Sequence, residues 1–346
     1  MRRALQISLM RCGCAPTFFA ATTPLAAAVR PQSGFSSGAP PGTAESGRNE
    51  HLHPPTGVEK SPPLEEEFQP PKKPSEAPTF LKVRTDDKGI TNLQLARSPV
   101  NSFNLEFLQE LNQWLLWLGS NEEARAVVLT SAIPTVFSAG LDLAELHNPK
   151  QERLVQFWQS FQELWLILNS FPKPIVGAIT GNSPAAGCVV AMGCDYRVMA
   201  RGPKGDAKSR LFRIGLNETK LGLTTPPWAM PAYAYLLGSR QAERLLQLGE
   251  TPTADEALRI GLIDEVAEDE EKTIEAAFHQ AERFLAVPQQ SRWMSRDMMR
   301  REYLQMLASD EDRNYDTEFN TQFLRSPEVQ KALSNYLERL KSKSRK

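Results

Sequence analysis

The residue of this sequence best suited to acid–base chemistry is Glu218, which stands in the largely apolar, glycine-bracketed stretch 214–223. A carboxylate with apolar neighbours is costly to keep charged, because desolvation favours its neutral form and raises its pKa toward the range in which it both takes and gives a proton. Glu218 is therefore a candidate general base. The alternative is structural: Asn217 could cap a helix whose first turn accommodates Glu218 through the helix dipole.

Two further stretches, residues 137–143 and 181–187, could supply main-chain hydrogen-bond donors. Each follows a predicted strand and opens a helix, so N–H groups at its turn lack helical partners and can point at an anion. Two loops that each offer one such donor are the material of an oxyanion hole. Each signal alone is weak, since small residues after a strand usually mark close packing or a tight turn. The glycine patterns of dinucleotide and P-loop sites are absent.

The elements that must position these loops are short apolar strands separated by amphipathic helices. Residues 80–83 and 90–95 alternate apolar and polar around a turn signal, which predicts a hairpin. Buried strands are predicted at 126–130, 174–179 and 196–199. This order predicts an α/β fold with crossovers.

Two amphipathic helices are predicted from apolar residues that recur every three or four positions. The first is closed by Gly119. The apolar positions of the two helices are Leu105, Leu108, Leu111, Leu115 and Leu118, and then Phe157, Phe161, Leu164 and Leu168. After about Arg240 the chain is predicted to be mostly helical.

Composition and the N-terminal region limit the classes of protein to which this chain can belong. The chain has 346 residues, 41% of them hydrophobic, with 40 basic and 41 acidic side chains, so it can bury a sizeable core and has no bias toward nucleic acid. The first acidic residue is Glu45, whereas arginines punctuate an Ala-, Ser-, Thr- and Leu-rich leader, which predicts a mitochondrial transit peptide over residues 1–30. A secretory signal is the alternative, but residues 11–16 interrupt its apolar run. Residues 31–78 are predicted to be a disordered Pro-rich linker.

Cysteines and histidines give no sign of a metal site. Cys188 and Cys194 lie in an apolar run and are interpreted as small buried hydrophobes rather than a disulfide, while Cys12 and Cys14 would leave with the leader. The four histidines are scattered without metal-ligand spacing, which argues against zinc and against a serine–histidine triad.

The motifs in this order resemble the crotonase (enoyl-CoA hydratase/isomerase) superfamily. The likeness is carried by residues 137–143, 194–198, 216–222 and 242–249, and it runs from about Phe80 to residues 336–341. It implies a spiral of ββα units over residues 79–265 and a C-terminal helical region over 266–346, which serves trimerisation and covers the active site. The resemblance is strongest to members that isomerise enoyl-CoA, and it implies a homotrimer in the mitochondrial matrix. No nucleic acid, membrane span or metal is expected, and no cofactor, since coenzyme A is part of the acyl-CoA thioester substrate.

Site residues follow from the resemblance position by position. It implies that Glu218 is the catalytic base, that the N–H groups of Leu141 and Ala186 bind the thioester oxygen, and that Asn217 helps to hold substrate. The passage for the coenzyme A and acyl groups would be lined by Ala139, Gly140, Leu141, Asp142 and Leu143. Ala186 departs from the family, which usually has glycine there, and its methyl group could crowd the carbonyl.

The resemblance also separates isomerisation from hydration. Family members that add water use a second glutamate shortly after the oxyanion loop, where this chain has Val189. An isomerase, which shifts the double bond of a 3-enoyl-CoA to the 2-trans position in β-oxidation of unsaturated fatty acids, is therefore favoured over a hydratase or another crotonase-type enzyme. A non-catalytic homologue that binds coenzyme A or RNA is the alternative from another class. Asp195 is interpreted as part of a structural ion pair.

Two features, a basic loop and three tryptophans, each allow two interpretations. The basic loop 201–210 is either a solvated surface loop or a contact for the coenzyme A phosphates. Trp158, Trp165 and Trp228 either shape the acyl pocket or belong to the core.

Overall fold

The structure is a computed structural model that describes residues 71–206 and 210–344. The leader 1–30 and most of the linker 31–78 lie outside the described residues, as do Cys12 and Cys14. The strands described are β1 (Leu81–Thr85), β2 (Ile90–Leu95), β3 (Ala126–Ser131), β4 (Thr135–Val136), β5 (Ile175–Ile179), β6 (Gly181–Pro184), β7 (Tyr196–Ala200), β8 (Ile214–Gly215) and β9 (Glu265–Ala267).

The helices of the same residues fall between and after these strands. They are α1 (Leu105–Ser120), α2 (Leu143–Leu146), α3 (Gln151–Ser170), α4 (Ala186–Gly193), α5 (Met230–Leu237), α6 (Ser239–Leu248), α7 (Ala254–Arg259), α8 (Glu270–Leu285), α9 (Gln289–Leu304), α10 (Asp310–Leu324) and α11 (Pro327–Ser344). Single 3₁₀ turns span Glu218–Leu221, Pro227–Ala229 and Gln305–Leu307.

Two sheets run side by side through the fold. The larger has the order β1-β2-β3-β5-β7-β9 and the smaller the order β4-β6-β8. Only the β1–β2 hairpin is antiparallel among the described pairs, as its alternating pattern predicted. Strands β3 and β5 are buried along their whole length, which explains why they read as continuous apolar runs. The pairs β3/β4, β5/β6 and β7/β8 each give one strand to each sheet, which is the predicted spiral of ββα units.

The core lies between the larger sheet and helices α1 and α3. The leucines predicted for one face of α1 are all buried, and Asn104 caps that helix by accepting from the Phe107 N–H. The prediction that Gly119 closes α1 is wrong, because the helix continues to Ser120. Gly119 is buried instead, and a methyl group on it would lie 3.4 Å from the Phe171 ring.

The region after Arg240 is helical apart from β9, as predicted. Helix α8 covers the outer face of the larger sheet, where Ala277 and Ala281 pack against Val128, Val176 and Val198. Small residues on the helix let its backbone approach the sheet closely. The later helices α9, α10 and α11 pack around α3 and the loops that follow the strands.

Candidate active site

Glu218 is the first residue of a 3₁₀ turn directly after β8, and it is only 8% exposed. The Asn217 side chain does not cap this turn, so the structural alternative of a capped α-helix start is wrong. Helix α6 supports the turn from outside: the Thr219 hydroxyl donates to the Leu246 carbonyl at 3.0 Å. Gly249 lies so close that a methyl group on it would be 2.7 Å from the Thr219 hydroxyl. The family-like stretch 242–249 therefore holds the turn that carries the carboxylate.

The surroundings of Glu218 make it a weak acid. Burial raises the pKa of Glu218 to about 7, and a hydrogen bond from the Thr225 hydroxyl to Oε2 at 3.0 Å opposes part of that rise. No charged side chain of the described part contributes to this shift. A carboxyl group with a pKa near 7 is divided between its acid and base forms at neutral pH, as a group that must take and return a proton requires.

The two glycine-containing loops lie against each other. Gly140 has a φ of +91°, and a methyl group on it would lie 3.2 Å from the Ala186 nitrogen. A methyl group on Gly187 would lie 2.7 Å from the Ser138 carbonyl oxygen. The absence of side chains at these two glycines is what allows helix α4 to approach the loop 137–143.

Neither Leu141 nor Ala186 donates a main-chain hydrogen bond among the described residues. Leu141 bridges Phe103 in parallel, with bonds from the Phe103 N–H to the Gly140 carbonyl and from the Asp142 N–H to the Phe103 carbonyl, both 2.8 Å. That pattern bypasses the N–H of Leu141 itself. Ala186 is the first residue of α4, and no side chain caps this helix end. These two N–H groups belong to segments that contact each other at Gly140 and Ala186.

Ala186 fits its position without strain. It has helical backbone and is not among the described non-glycine residues of positive φ, so the replacement of glycine there needs no unusual geometry. The unusual backbone belongs to Ala185, whose φ is +51°. A non-glycine residue rarely adopts this region, and such outliers often occur at functional sites.

The remaining residues of the predicted passage have varied surroundings. Ala139 is exposed, while Leu143 is half-buried at the start of α2. Asp142 pairs with Arg97 at 2.9 Å and caps α2 by accepting from the Ala144 N–H. Its carboxylate thus fixes the loop rather than standing free. Asn217, next to the base, has a buried Oδ1 with no hydrogen-bond partner among the described residues.

Three residues near Glu218 were missed by the sequence analysis. Thr225 bonds the carboxylate directly, but a threonine seven residues after a glutamate is no recognisable signal. Cys188 and Tyr233 are fully buried. Burial, and then the charge of Glu218, raises the pKa of the Cys188 thiol, while burial, Cys188 and Glu218 raise the pKa of Tyr233. The Tyr233 hydroxyl has no partner in the described part of the chain.

The three tryptophans belong to the core. Trp165 and Trp228 are fully buried with ring centroids 5.5 Å apart, and Trp158 is 3% exposed. The Nε1 groups of Trp158 and Trp228 both donate to Asp316 Oδ2, at 2.8 and 3.1 Å. Trp228 follows Thr225 closely in sequence, so Asp316 on α10 anchors the segment that bonds the base.

Helix α11 contacts both halves of the site. A methyl group on Gly222, which ends the turn carrying Glu218, would lie 2.7 Å from the Ala332 Cβ. The Gln330 amide donates to the Leu146 carbonyl at 2.9 Å, and His147 Nε2 lies 2.9 Å from the Ser334 hydroxyl. The C-terminal helix therefore connects the end of α2 to the turn that carries Glu218.

Other predicted features lie away from this site. Asp195 pairs with arginines of α9, which confirms the expected structural ion pair. In the basic loop, Arg201 pairs with Asp255 and Lys204 with Glu271, while residues 207–209 lie outside the described part. Cys188 and Cys194 are both free and buried, as interpreted.

The described part of the chain has neither a metal-binding cluster nor a membrane-spanning helix. No group of three or more potential ligands among residues 71–206 and 210–344 could hold a metal ion. Within the same ranges, every helix is too short or too polar to cross a lipid bilayer.

Comparisons with known proteins identify similar sequences. The sequence profile of the enoyl-CoA hydratase/isomerase family matches residues 85–345. The mitochondrial enoyl-CoA delta isomerase 1 of Mus musculus is 40% identical over 255 residues, covering 74% of this chain and 85% of that protein. The Homo sapiens protein of the same name is 39% identical over 253 residues, covering 73% and 80%.

Solved structures of the same family have the same fold. The crystal structure of human mitochondrial delta3-delta2-enoyl-CoA isomerase has a TM-score of 0.71 at 38% identity, covering 76% of this chain and 99% of that one. An enoyl-CoA hydratase/isomerase from Mycobacterium paratuberculosis, 22% identical with a TM-score of 0.64 over 75% of this chain and 98% of that one, shares the fold.

These findings confirm the crotonase-like α/β fold, the isomerase class and the mitochondrial location predicted from the sequence. The transit peptide over residues 1–30 stays a prediction, as do the domain boundaries. Because the family profile matches most of the chain and relatives about 40% identical align along most of their own length, the chain belongs to the enoyl-CoA hydratase/isomerase family.

Proposed function

We propose that this protein is a Δ3,Δ2-enoyl-CoA isomerase, which moves the double bond of a 3-enoyl-CoA to the 2-trans position in β-oxidation of unsaturated fatty acids. The observation that carries the proposal is the buried carboxyl group of Glu218, with its pKa raised to about 7. The names of the mouse and human relatives support the choice of reaction.

The first step is removal of a proton from C2 of the substrate by Glu218. The electron pair of the C2–H bond moves toward the thioester, whose oxygen becomes negative as an enolate conjugated with the C3=C4 double bond. The N–H groups of Leu141 and Ala186 would hold this oxygen. A preorganised donor of this kind contributes about 2.7–4 kcal/mol.

The raised pKa of Glu218 also lowers the barrier to removal of the C2 proton, because it makes the carboxylate a stronger base. A carboxylate of ordinary pKa near 4.5 is a poor base toward C2, and the rise to about 7 strengthens it by some 2.5 units. At 1.36 kcal/mol per pKa unit, this rise lowers the free-energy cost of moving the C2 proton to Glu218 by about 3 kcal/mol. Burial and two donors thus act together on one proton transfer.

The second step returns the same proton at C4. The electron pair of the dienolate forms the C4–H bond, the double bond settles between C2 and C3, and the thioester carbonyl is restored. Glu218 ends the cycle ionised, as it began. One carboxyl group suffices, so the reaction needs no water and no cofactor, because coenzyme A enters and leaves with the substrate.

Hydration is disfavoured by the residue at one position of helix α4. Val189, at the position of the second acid of hydratases, is buried and apolar. A water molecule there would find no carboxylate to orient it. We therefore place hydratase activity, and a role as a non-catalytic binding protein, below isomerisation.

Several finer assignments belong to the same proposal. Asn217, whose Oδ1 lacks a partner, would help to hold substrate, and Ala139, Gly140, Leu141, Asp142 and Leu143 would line its passage. Helix α11 would cover the active site in the same chain. A homotrimer in the mitochondrial matrix is the expected assembly, formed after loss of the leader.

The test is turnover of a 3-enoyl-CoA by the mature protein, followed by the absorbance of the conjugated thioester, with hydration of the 2-enoyl product measured in parallel. Isomerisation without hydration, abolished by Glu218→Gln with coenzyme A binding retained, is the expected result. Glu163→Gln, which removes a half-buried carboxylate paired with Arg313, should leave turnover unchanged. Hydration at a comparable rate would contradict the proposal, and so would full activity of Glu218→Gln.

A further inference from the structure

A second cavity, of about 300 Å³, lies at the opposite end of helix α4 from the candidate oxyanion hole. Its charged lining consists of Asp195, Arg197 from β7, and Arg292, Arg296 and Arg300 from α9. The rest of the lining is apolar or aromatic: Met192, Ala232, Tyr235, Leu236, Phe284, Met299 and Tyr303. Helix α4 has eight residues, so the cavity and the oxyanion hole are about 12 Å apart along its axis. Nothing in the proposed reaction uses these residues.

The formal charges around this cavity do not balance. Asp195 accepts from Arg296 and lies 3.6 Å from Arg292 and 3.7 Å from Arg300. Arg197 pairs with Asp264 at 2.7 Å. Four guanidinium groups face two carboxylates, which leaves two positive charges in excess.

Two helix C-termini offset part of that excess. Arg296 donates to the carbonyls of Leu168 and Asn169, at the end of α3, at 2.6 and 2.7 Å. Arg300 donates to the carbonyls of Gly193 and Cys194, at the end of α4, at 2.8 and 2.7 Å. Each helix C-terminus carries roughly half a negative charge, so about one positive charge remains.

That remaining charge is poorly solvated. The side chains of Arg197, Arg292 and Arg296 are 6–8% exposed, and Arg300 is 12% exposed. Burial, and then repulsion from Arg300, lowers the pKa of Arg296 to about 10. The buried Nε of Arg197 has no hydrogen-bond partner in the described part of the chain. An unpaired buried donor on a charged group is costly.

We propose that this cavity binds a small oxyanion of the phosphate type. Guanidinium groups match the oxygens of phosphate in pairs, which a single point charge does not. The volume is at the lower end of the range for small-molecule pockets, roughly 300–1,000 Å³, and it admits a phosphate with several waters of about 30 Å³ each. The bound anion would hold α9 against the ends of α3 and α4. This site stands independently of the proposed function.

The test uses inorganic phosphate and the whole mature protein at constant ionic strength, balanced with chloride. Thermal unfolding and titration calorimetry of the wild type should give a saturable rise in melting temperature and one bound phosphate per chain. Arg300→Gln, which lines the cavity, should weaken phosphate binding at least tenfold. Arg301→Gln is the matched control: this neighbour on the same helix is exposed and pairs with Asp297, so binding should be unchanged.

Three results would overturn the proposal. One is the absence of a saturable effect in the wild type, since general stabilisation of proteins by phosphate does not saturate. Another is an equal effect in Arg300→Gln. If that variant does not fold, Arg300→Lys keeps the charge but loses the paired donors, and unweakened binding there would count equally against the site. The third is competition of phosphate with an acyl-CoA thioester for binding, which would place the anion in the substrate site; unaltered acyl-CoA affinity in saturating phosphate is expected.

Discussion

Removal of the hydrogen bond from Thr225 tests how the pKa of Glu218 is set. The Thr225 hydroxyl is 3.0 Å from Oε2 of the buried carboxyl group of Glu218. A hydrogen bond to a charged group contributes about 1.5–3 kcal/mol, and 1.36 kcal/mol corresponds to one pKa unit. The change Thr225→Val, which keeps the shape of the side chain, should therefore raise the pKa of Glu218 from about 7 to roughly 8–9.

The sign of the effect on activity follows from the form that reacts. The ionised carboxylate is the base, so a higher pKa leaves less of it at neutral pH. At pH 7 the ionised fraction should fall from about one half to between one tenth and one hundredth, and kcat/KM should fall roughly 5- to 50-fold. Above pH 9.5 the variant should recover most of the wild-type value.

The assay is the pH profile of kcat/KM for a 3-enoyl-CoA, because this quantity reports the ionisation of the free enzyme. Thr224→Val is the matched control: its hydroxyl bonds the Thr225 carbonyl and not the carboxylate, so its profile should match the wild type. An acidic limb that does not move in Thr225→Val would refute the assignment of Thr225. A uniform loss at all pH values would point to general distortion of the site.

Three other predictions follow from the same contacts. In urea unfolding, Glu218→Gln should be about 3 kcal/mol more stable than the wild type at pH 8 and nearly equal to it at pH 4. The reason is that the pKa of Glu218 is about 7 in the folded state and about 4.5 when unfolded, so the wild type loses stability as the pH rises between these values. A stability difference that does not change with pH would contradict this. Trp228→Phe and Trp158→Phe each remove one hydrogen bond to Asp316 and should each lower the free energy of unfolding by about 1–3 kcal/mol. Only Trp228→Phe should also lower kcat. The same kcat in both variants would show that Asp316 does not position the base. Gly140→Ala should lower kcat at least tenfold, whereas Gly205→Ala, with a similar φ of +80° and open space around it, should cost stability alone.

Local patterns were enough to place most of the elements. The β1–β2 hairpin, the buried strands β3, β5 and β7 and the faces of α1 and α3 were predicted because the period of apolar residues follows directly from strand or helix geometry. The two-residue strands β4 and β8 were not predicted, since a pattern needs several residues to be visible. Both strands take their register from pairing with β6.

The candidate site divides in the same way. The sequence singled out Glu218 as a carboxyl group among apolar residues, while the roles of Leu141, Ala186 and Asn217 came from resemblance to a family rather than from any pattern in the chain. Only the tertiary structure decided that Thr225 bonds Glu218, since a separation of seven residues does not by itself predict a contact.

The longest-range contacts were beyond any reasoning from sequence alone. Asp195 is surrounded by arginines about one hundred residues later in the chain, and Asp316 receives two tryptophans from different elements. By itself, the sequence determined the longer strands and the two long amphipathic helices, and which residue could be a base, because these depend on neighbours along the chain. Which side chains meet, and how strongly burial raises the pKa of Glu218, only the tertiary structure decided, because desolvation depends on every segment that packs around a group.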